Sequence, residues 1–353
     1  TTIDDPSAYF HTQLYTGNGT AIGSGGNAIT NNANSGDFKP DWTWHKVRST
    51  TNDHQIYDSS RGVKIRLNTN ATNSDFTLNE GLQSFDTNGF TVGSDAGVNQ
   101  SSQTFVAWQW KANGGSRTTF TESGDNPGGG YQANTTAGFS IVDFVGTGAN
   151  GTVQHGLGVA PRWYIIKNRD RSANWQVYHE DNGNTHYIKL NDTGAKLDNH
   201  EIFNDTSPTS SVFSVGIDQS VNFNGENHIA YVFAEIQGYS KFGSYTGNGN
   251  ADGPFVYTGF KPAWLLIRRT DSAQNWNLHD NKRSTFNTTK ADLFPNLSNA
   301  EETGNGNFID FLSNGFKHRA STNSLNASSG DFIYMAFAEH PFVSSEGVPV
   351  TAN

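Results

Sequence analysis

Cysteine is absent from this sequence of 353 residues. Its absence excludes disulfide frameworks and thiolate metal sites, and leaves stability to burial and strand pairing. Long apolar runs are missing too: no stretch approaches the roughly 20 residues of a spanning helix. Thr1-Thr2-Ile3-Asp4-Asp5 is not a signal peptide, so the expectation is a soluble protein without membrane insertion. There is no basic stripe. The 23 Lys and Arg against 33 Asp and Glu give a net charge of −10 without long runs, which argues against binding nucleic acid through its phosphates. Enzyme signatures are lacking as well: no Gly-x-Ser-x-Gly elbow, no His-Glu-x-x-His, no phosphate loop ending in Lys-Ser/Thr and no Cys pair. A glycosidase needs two carboxylates facing one cleft, and no strand offers them at alternate positions.

Apolar residues make up only 34% of the chain while aromatics reach 12%, which predicts small cores built from large flat side chains. Gly, Asn, Ser and Thr fill much of the remainder; they favour turns and strand edges over helices. The fold class that follows is all-β with little helix.

What is present is repetition. Tyr15-Thr16-Gly17-Asn18-Gly19 returns as Phe144-Val145-Gly146-Thr147-Gly148 and as Tyr245-Thr246-Gly247-Asn248-Gly249. A second block, Phe38-Lys39-Pro40-Asp41-Trp42, corresponds to Val159-Ala160-Pro161-Arg162-Trp163 and Phe260-Lys261-Pro262-Ala263-Trp264, with 121 residues from Pro40 to Pro161 and 101 from Pro161 to Pro262. A third block holds Ile56, Val177 and Leu278 within His54-Gln55-Ile56-Tyr57, Trp175-Gln176-Val177-Tyr178 and Trp276-Asn277-Leu278-His279. A closing strand ends each copy, with a row of large residues (Val106, Trp108, Trp110; Ile229, Tyr231, Phe233; Ile333, Met335, Phe337) and a row containing Ala107, Ala234 and Ala338.

The order of blocks predicts three tandem β-sandwich repeats of about 100 residues, jelly-roll or lectin-like. The divisions are 1–112, a Gly-rich linker at 113–137, 138–237, 238–342 and a C-terminal tail at 343–353, with proteolysis near Gly128 expected to release the first repeat. Pro starts each central strand abruptly. Trp163 to Ile166 and Trp264 to Ile267 are apolar on both faces and read as doubly covered. By contrast, Asp41, Thr43 and His45 alternate with Trp42 and Trp44 and predict a solvent-facing side on the first sheet. Asn88-Gly89 and Asn314-Gly315, each between phenylalanines, mark hairpins. Asn296 to Glu302 is the stretch given one or two helical turns.

Candidate sites are sparse. Glu235, Glu339, Asp58 and Asp280 recur between copies and read as solvated or bonded to loop amides. The histidines show no ligand spacing common to all copies, so no metal site is assigned. Ser94-Asp95-Ala96-Gly97 and Asp181-Asn182-Gly183-Asn184 supply oxygens for a structural calcium without the regular acidic spacing of a calcium loop; no other cofactor is expected. Flat rings suit sugars, which makes Trp175, Trp276, Tyr131 and His54 the glycan candidates. Trp175 and Trp276 alternate in step with Val177 and Leu278, which favours the core for them; Tyr131 and His54 are expected to be exposed.

The segments 8–19 (AYFHTQLYTGNG), 38–49 (FKPDWTWHKVRS), 84–93 (SFDTNGFTVG), 104–115 (TFVAWQWKANGG), 155–161 (HGLGVAP), 238–269 and 333–342 (IYMAFAEHPF) together resemble a repeat family of structural proteins in marine and cyanobacterial tailed phages. The resemblance spans about Ser7 to Phe342 and implies no catalytic residues. It implies a non-enzymatic virion component on the particle surface, made in the infected bacterial cytoplasm. A tail fibre or host-receptor and glycan adhesion protein comes first, a capsid decoration protein second and a tail-associated polysaccharide-degrading enzyme third. Expected partners are other virion proteins and a host surface glycan or receptor, with a homotrimer as one assembly. The stretch before Phe10 is the candidate anchor.

Overall fold

The computed structural model describes residues 2–32, 38–347 and 349; the expected tail at 343–353 therefore lies partly outside the described residues. Strands carry 41% of the residues and helices 7%, so the chain is all-β in class. Among the described residues, no helix is long and apolar enough to cross a membrane.

One strand order recurs three times. An opening strand (Phe10–Thr16, Phe139–Val145, Ser240–Thr246) pairs antiparallel with the closing strand (Thr104–Trp110, Asn227–Phe233, Asp331–Pro341). The closing strand pairs with a central strand (Trp42–Val47, Trp163–Asn168, Phe260–Arg269), and that with an edge strand (Gln55–Asp58, Gln176–His179, Asn277–Asp280). The second sheet is extended to eight strands, in part by Thr118–Phe120 and Gly128–Asn134. The region read as a linker thus contains two strands, and Gly128 pairs with Val145 at the start of one of them. Its glycines serve close approach: a Cβ at Gly129 would strike the Asp143 carbonyl oxygen of the neighbouring strand.

The large and small rows of each closing strand divide the interior. The small rows face separate outer cores, where Ala107, Ala234 and Ala338 each pack under a covering layer. That of the first sheet is Asn27–Thr30, Gly89–Val92 and Leu82–Asp86. Asp41, Thr43 and His45 are all buried, so the expected solvent-facing side is covered; the His45 ring meets Phe90 of this layer edge-on at 4.8 Å, and Asp41 accepts from Gly114 N at 2.9 Å. The Asn-Gly hairpins form with Phe85 opposite Phe90 and Phe311 opposite Phe316.

The large rows meet in one shared core, which holds all eight tryptophans. Trp42 lies 4.5 Å from Tyr231 of the second sheet, Trp163 5.9 Å from Trp276 of the third, and Trp110 5.6 Å from Phe337. Each sheet therefore touches both others, and three low-apolar segments together build an interior that none supplies alone.

The same two main-chain hydrogen bonds close this arrangement at every junction. Ala173 N–H donates to Thr72 O (2.8 Å) and Asp75 N–H to Arg169 O (2.9 Å) between first and second sheets. Gln274 to Thr193 (3.0 Å) with Lys196 to Thr270 (2.9 Å) joins second to third. Asn52 to Ser298 (2.9 Å) with Glu301 to Arg48 (2.8 Å) joins third back to first. Head-to-tail contacts whose rotation closes make a ring, here inside a single chain. Asn296 to Glu302, given a helical turn from sequence, is the third of these connectors: Ser298 O and Glu301 N bond the first sheet, while Glu302 pairs with Asp292 in an isolated bridge.

Ring closure changes the outcome expected of proteolysis. Asn113 to Thr119 and Thr121 to Asn126 are exposed, so a nick at Arg117 is expected to leave both fragments in one folded particle. Size-exclusion chromatography of the nicked chain checks this, and separate elution of residues 1–117 would contradict the shared core.

The recurring Gly-x-Gly blocks are turns clamped by a buried asparagine. Asn99, Asn222 and Asn326 end the four-residue helices Ala96–Asn99, Gln219–Asn222 and Asn323–Asn326, and their side-chain oxygens accept from Asn18 N (2.9 Å), Thr147 N (2.9 Å) and Asn248 N (2.8 Å). Gly17, Gly146 and Gly247 lie so near the following backbone that a Cβ would collide with it, while Gly19, Gly148 and Gly249 have φ of +68°, +73° and +66°. The loudest repeat in the sequence is structural.

Candidate functional site

Three of the four glycan candidates are closed to any ligand. Trp175 and Trp276 are fully buried and act as pegs between sheets: Trp175 Nε1–H donates to Asn68 O at 2.8 Å and Trp276 Nε1–H to Lys189 O at 2.9 Å. His54, expected to be exposed, takes the same position in the first sheet and is also buried; its Nδ1 accepts from Trp44 Nε1 at 2.9 Å. Burial holds its imidazole well below the ordinary value, with the Lys46 charge adding to this. Tyr131, also expected to be exposed, is half-buried on Gly128–Asn134 with its ring stacked on Phe120 at 6.3 Å.

The recurring carboxylates have structural partners. Asp58 accepts from Ser60 N (3.0 Å), Arg61 N (2.8 Å) and Arg61 Nε (2.5 Å), and from Tyr231 OH of the second sheet at 2.7 Å. Asp280 does the same with Lys282 N, Arg283 N and Arg283 Nε, and accepts from Trp108 Nε1 of the first sheet at 3.0 Å. The second sheet has His179 and Asn182 at these places, where its neighbour's closing strand presents Met335, a side chain with no donor. Ion pair and donor therefore occur together or not at all.

Three inward cations, Lys46, Lys167 and Arg268, are buried at equivalent positions. Lys46 Nζ donates to Ser298 O (3.2 Å), Lys167 Nζ to Thr72 O (3.1 Å) and Arg268 Nη2 to Gly194 O, in each case reaching the connector of the preceding sheet in the ring. Burial pushes them down, to about 8, about 7 and about 10, against the opposing pull of Asp53, Asp75 and Asp192.

Asp95 and Asp181, from the loops considered for calcium, have other duties. Asp95 caps a short helix through Gly97 N and accepts from Gln55 Nε2, and the Asp181 carboxylate lies 3.5 Å from Arg162 Nη2. Among the described residues, no group of three or more His, Cys, Asp or Glu side chains converges.

Open space lies instead beside the edge strands. A groove of about 490 Å³ borders Gln176–His179, lined among others by Asn174, Gln176, Tyr187, Ile217, Asp218 and Ser220. A groove of about 330 Å³ occupies the equivalent place beside Asn277–Asp280, lined by Asn275, Asn277, Asn305, Asn307, Thr322 and Ser324 among others. Sequence reading missed both because it weighed the rings at 54, 175 and 276. The signal lay one residue later, in the recurring amides Gln55, Gln176 and Asn277.

The fold and these grooves define a ring-closed all-β protein with polar grooves on its outer edge. The chain belongs to a family described as a domain of unknown function (DUF7483), which matches residues 5–341. No curated protein and no solved structure matches it significantly.

Proposed function

We propose that the chain is a non-enzymatic structural protein of a phage particle surface, a tail-fibre or host-attachment component, built from three β-sandwich units of about 100 residues of jelly-roll or lectin-like type. The observation that carries this reading is the ring. Three similar sheets held in a threefold relation by repeated main-chain bonds give one chain three similar outer faces on one scaffold, which suits a structural component that presents its surface. The burial of Asp58 and Asp280 against Arg61 and Arg283 supports a scaffold role for those carboxylates. A second reading, capsid decoration, is favoured by the same threefold relation, since three similar faces suit three similar shell subunits.

Cryo-electron microscopy of the intact particle tests both. Density at the tail or its fibres is the expected result, and a lattice on the head would replace it with decoration. Absence of the chain from purified particles would overturn both.

A further inference from the structure

The three outer layers end in equivalent edge strands: Asn27–Thr30, Gly151–Gln154 and Phe255–Tyr257. Their residues Ile29, Val153 and Val256 point into the outer cores. The residues on either side point outward, and here the copies part: the first carries Ala28 and Thr30, the second Thr152 and Gln154, the third Phe255 and Tyr257, which are 45% and 57% exposed. The phase of the hydrogen bonds decides what such an edge can meet. Pro254 O accepts from His318 N (3.2 Å) and Asn314 O from Thr258 N (3.0 Å), so residues 254, 256 and 258 turn their main-chain groups toward the neighbouring strand Gly315–His318. Those of Phe255 and Tyr257 turn the other way, where among the described residues no strand and no hydrogen bond meets them. Proline usually guards an edge by removing a donor. Pro254 does not, because its nitrogen faces inward, where Gly253 N–H makes the bond to His318 O at 3.1 Å. In the second copy the same edge is closed, since Thr152 N donates to Asn126 Oδ1 at 2.8 Å.

We propose that the Phe255–Tyr257 edge is a self-association site, where the strands of two copies of this chain pair antiparallel about a twofold axis at Val256. The edge is complementary to itself. With Val256 opposite Val256 of the second copy, Phe255 stands opposite Tyr257 of the second copy and Tyr257 opposite its Phe255, and each such pair exchanges both N–H···O bonds of an antiparallel ladder. Every outward main-chain group of the strand is then matched. A slip of one residue would set Phe255 against Val256, whose groups face inward and are already used. Residues directly opposite share a sheet face, so the same register brings the rings of Phe255 and Tyr257 together across the joint as aromatic pairs. Ala28 and Thr30 could not supply them. No charge opposes the contact, because the strand carries none and Lys317, directly across from Phe255, is paired with Asp252 at 2.9 Å. Twofold pairing uses the edge up, so the assembly closes at two chains and does not build a trimer. The joint is small, so association is weak and depends on concentration.

Sedimentation equilibrium of the purified full chain at about 5–200 μM, a range that covers weak specific association, tests this. Expected is a monomer at the low end that becomes a dimer at the high end. Tyr257→Pro removes an outward N–H and a ring while sparing the bonds to Gly315–His318, and is expected to weaken the dimer about tenfold or more. Thr30→Pro, at the equivalent place in the first copy, is expected to leave it unchanged. Circular dichroism checks that the variants fold; should Tyr257→Pro fail, the double variant Phe255→Lys with Tyr257→Lys is expected to give the same loss by placing like charges across the joint. Hydrogen exchange separates this contact from any other, since the amides of Phe255 and Tyr257 are expected to exchange more slowly at the high concentration and that of Ala28 is not. A chain that stays monomeric throughout, a trimer, a dimer that the folded variants leave intact, or unchanged exchange at Phe255 and Tyr257 would each overturn the inference.

Discussion

Asp280→Ala is expected to destabilise the folded chain by about 3–5 kcal/mol, because it leaves the Arg283 guanidinium buried without its carboxylate. Burial works against the Arg283 charge, and Asp280 and Glu301 together outweigh it and raise the group above its ordinary value. Glu301 remains after the substitution at 3.1 Å from Nη1, but the bonds to Nε, to two loop amides and to Trp108 Nε1 all disappear. The last of these spans the junction between third and first sheets, so the damage reaches the ring as well as the loop. Urea unfolding followed by tryptophan fluorescence reads the loss. The double variant Asp280→His with Arg283→Asn, which copies His179 and Asn182 of the second sheet, removes the buried charge along with its partner. It is expected to cost less than Asp280→Ala alone. A single-variant effect below about 1 kcal/mol would mean that solvent reaches the pair and that it contributes as little as a surface bridge does.

Much of the fold was legible because local rules sufficed. Alternation along the closing strands assigned Trp108, Tyr231 and Met335 to one face and Ala107 to the other, and both assignments stand. The expectation that Asp58 and Asp280 bond loop amides holds for the same reason: the acceptor and the amides are two and three residues apart. What sequence missed was relational. His45 looks solvent-facing by its polarity, yet a covering layer from residues 27–30 and 82–92 buries it. The glycines at 128–130 have the composition of a linker, and only the neighbouring strand reveals why they lack side chains. Spacing revealed the copies but not that their large faces point at one another, since a pattern of period two shows which residues share a face and not what that face meets. The groove was hidden for a related reason. Gln176 differs from Gln55 only in what its neighbours do: Tyr57 turns to its amide, whereas Tyr178 turns away.

The shared core also fixes how the chain should come apart, and Trp42→Ala is the sharper probe of it. The Trp42 ring lies 4.4 Å from Trp110 of its own sheet and 4.5 Å from Tyr231 of the second, with Phe139 at 5.7 Å. Truncation removes a fully buried indole and opens a cavity between two sheets, so the expected cost is about 3–5 kcal/mol. Location matters more than size. If each sheet had its own core, the loss would stay in the first and the unfolding of the other two would be untouched; with one core, protection must fall in the third sheet too. Hydrogen exchange across Phe332 to Ala338, a strand that Trp42 is not paired with, measures this directly. Faster exchange there, with a single unfolding transition at lower urea, is the expected result. Unchanged protection of that strand would mean that the three sheets fold as independent units and that the ring is a contact between finished domains, because coupling through a packed interior needs the opening of one part to expose the rest.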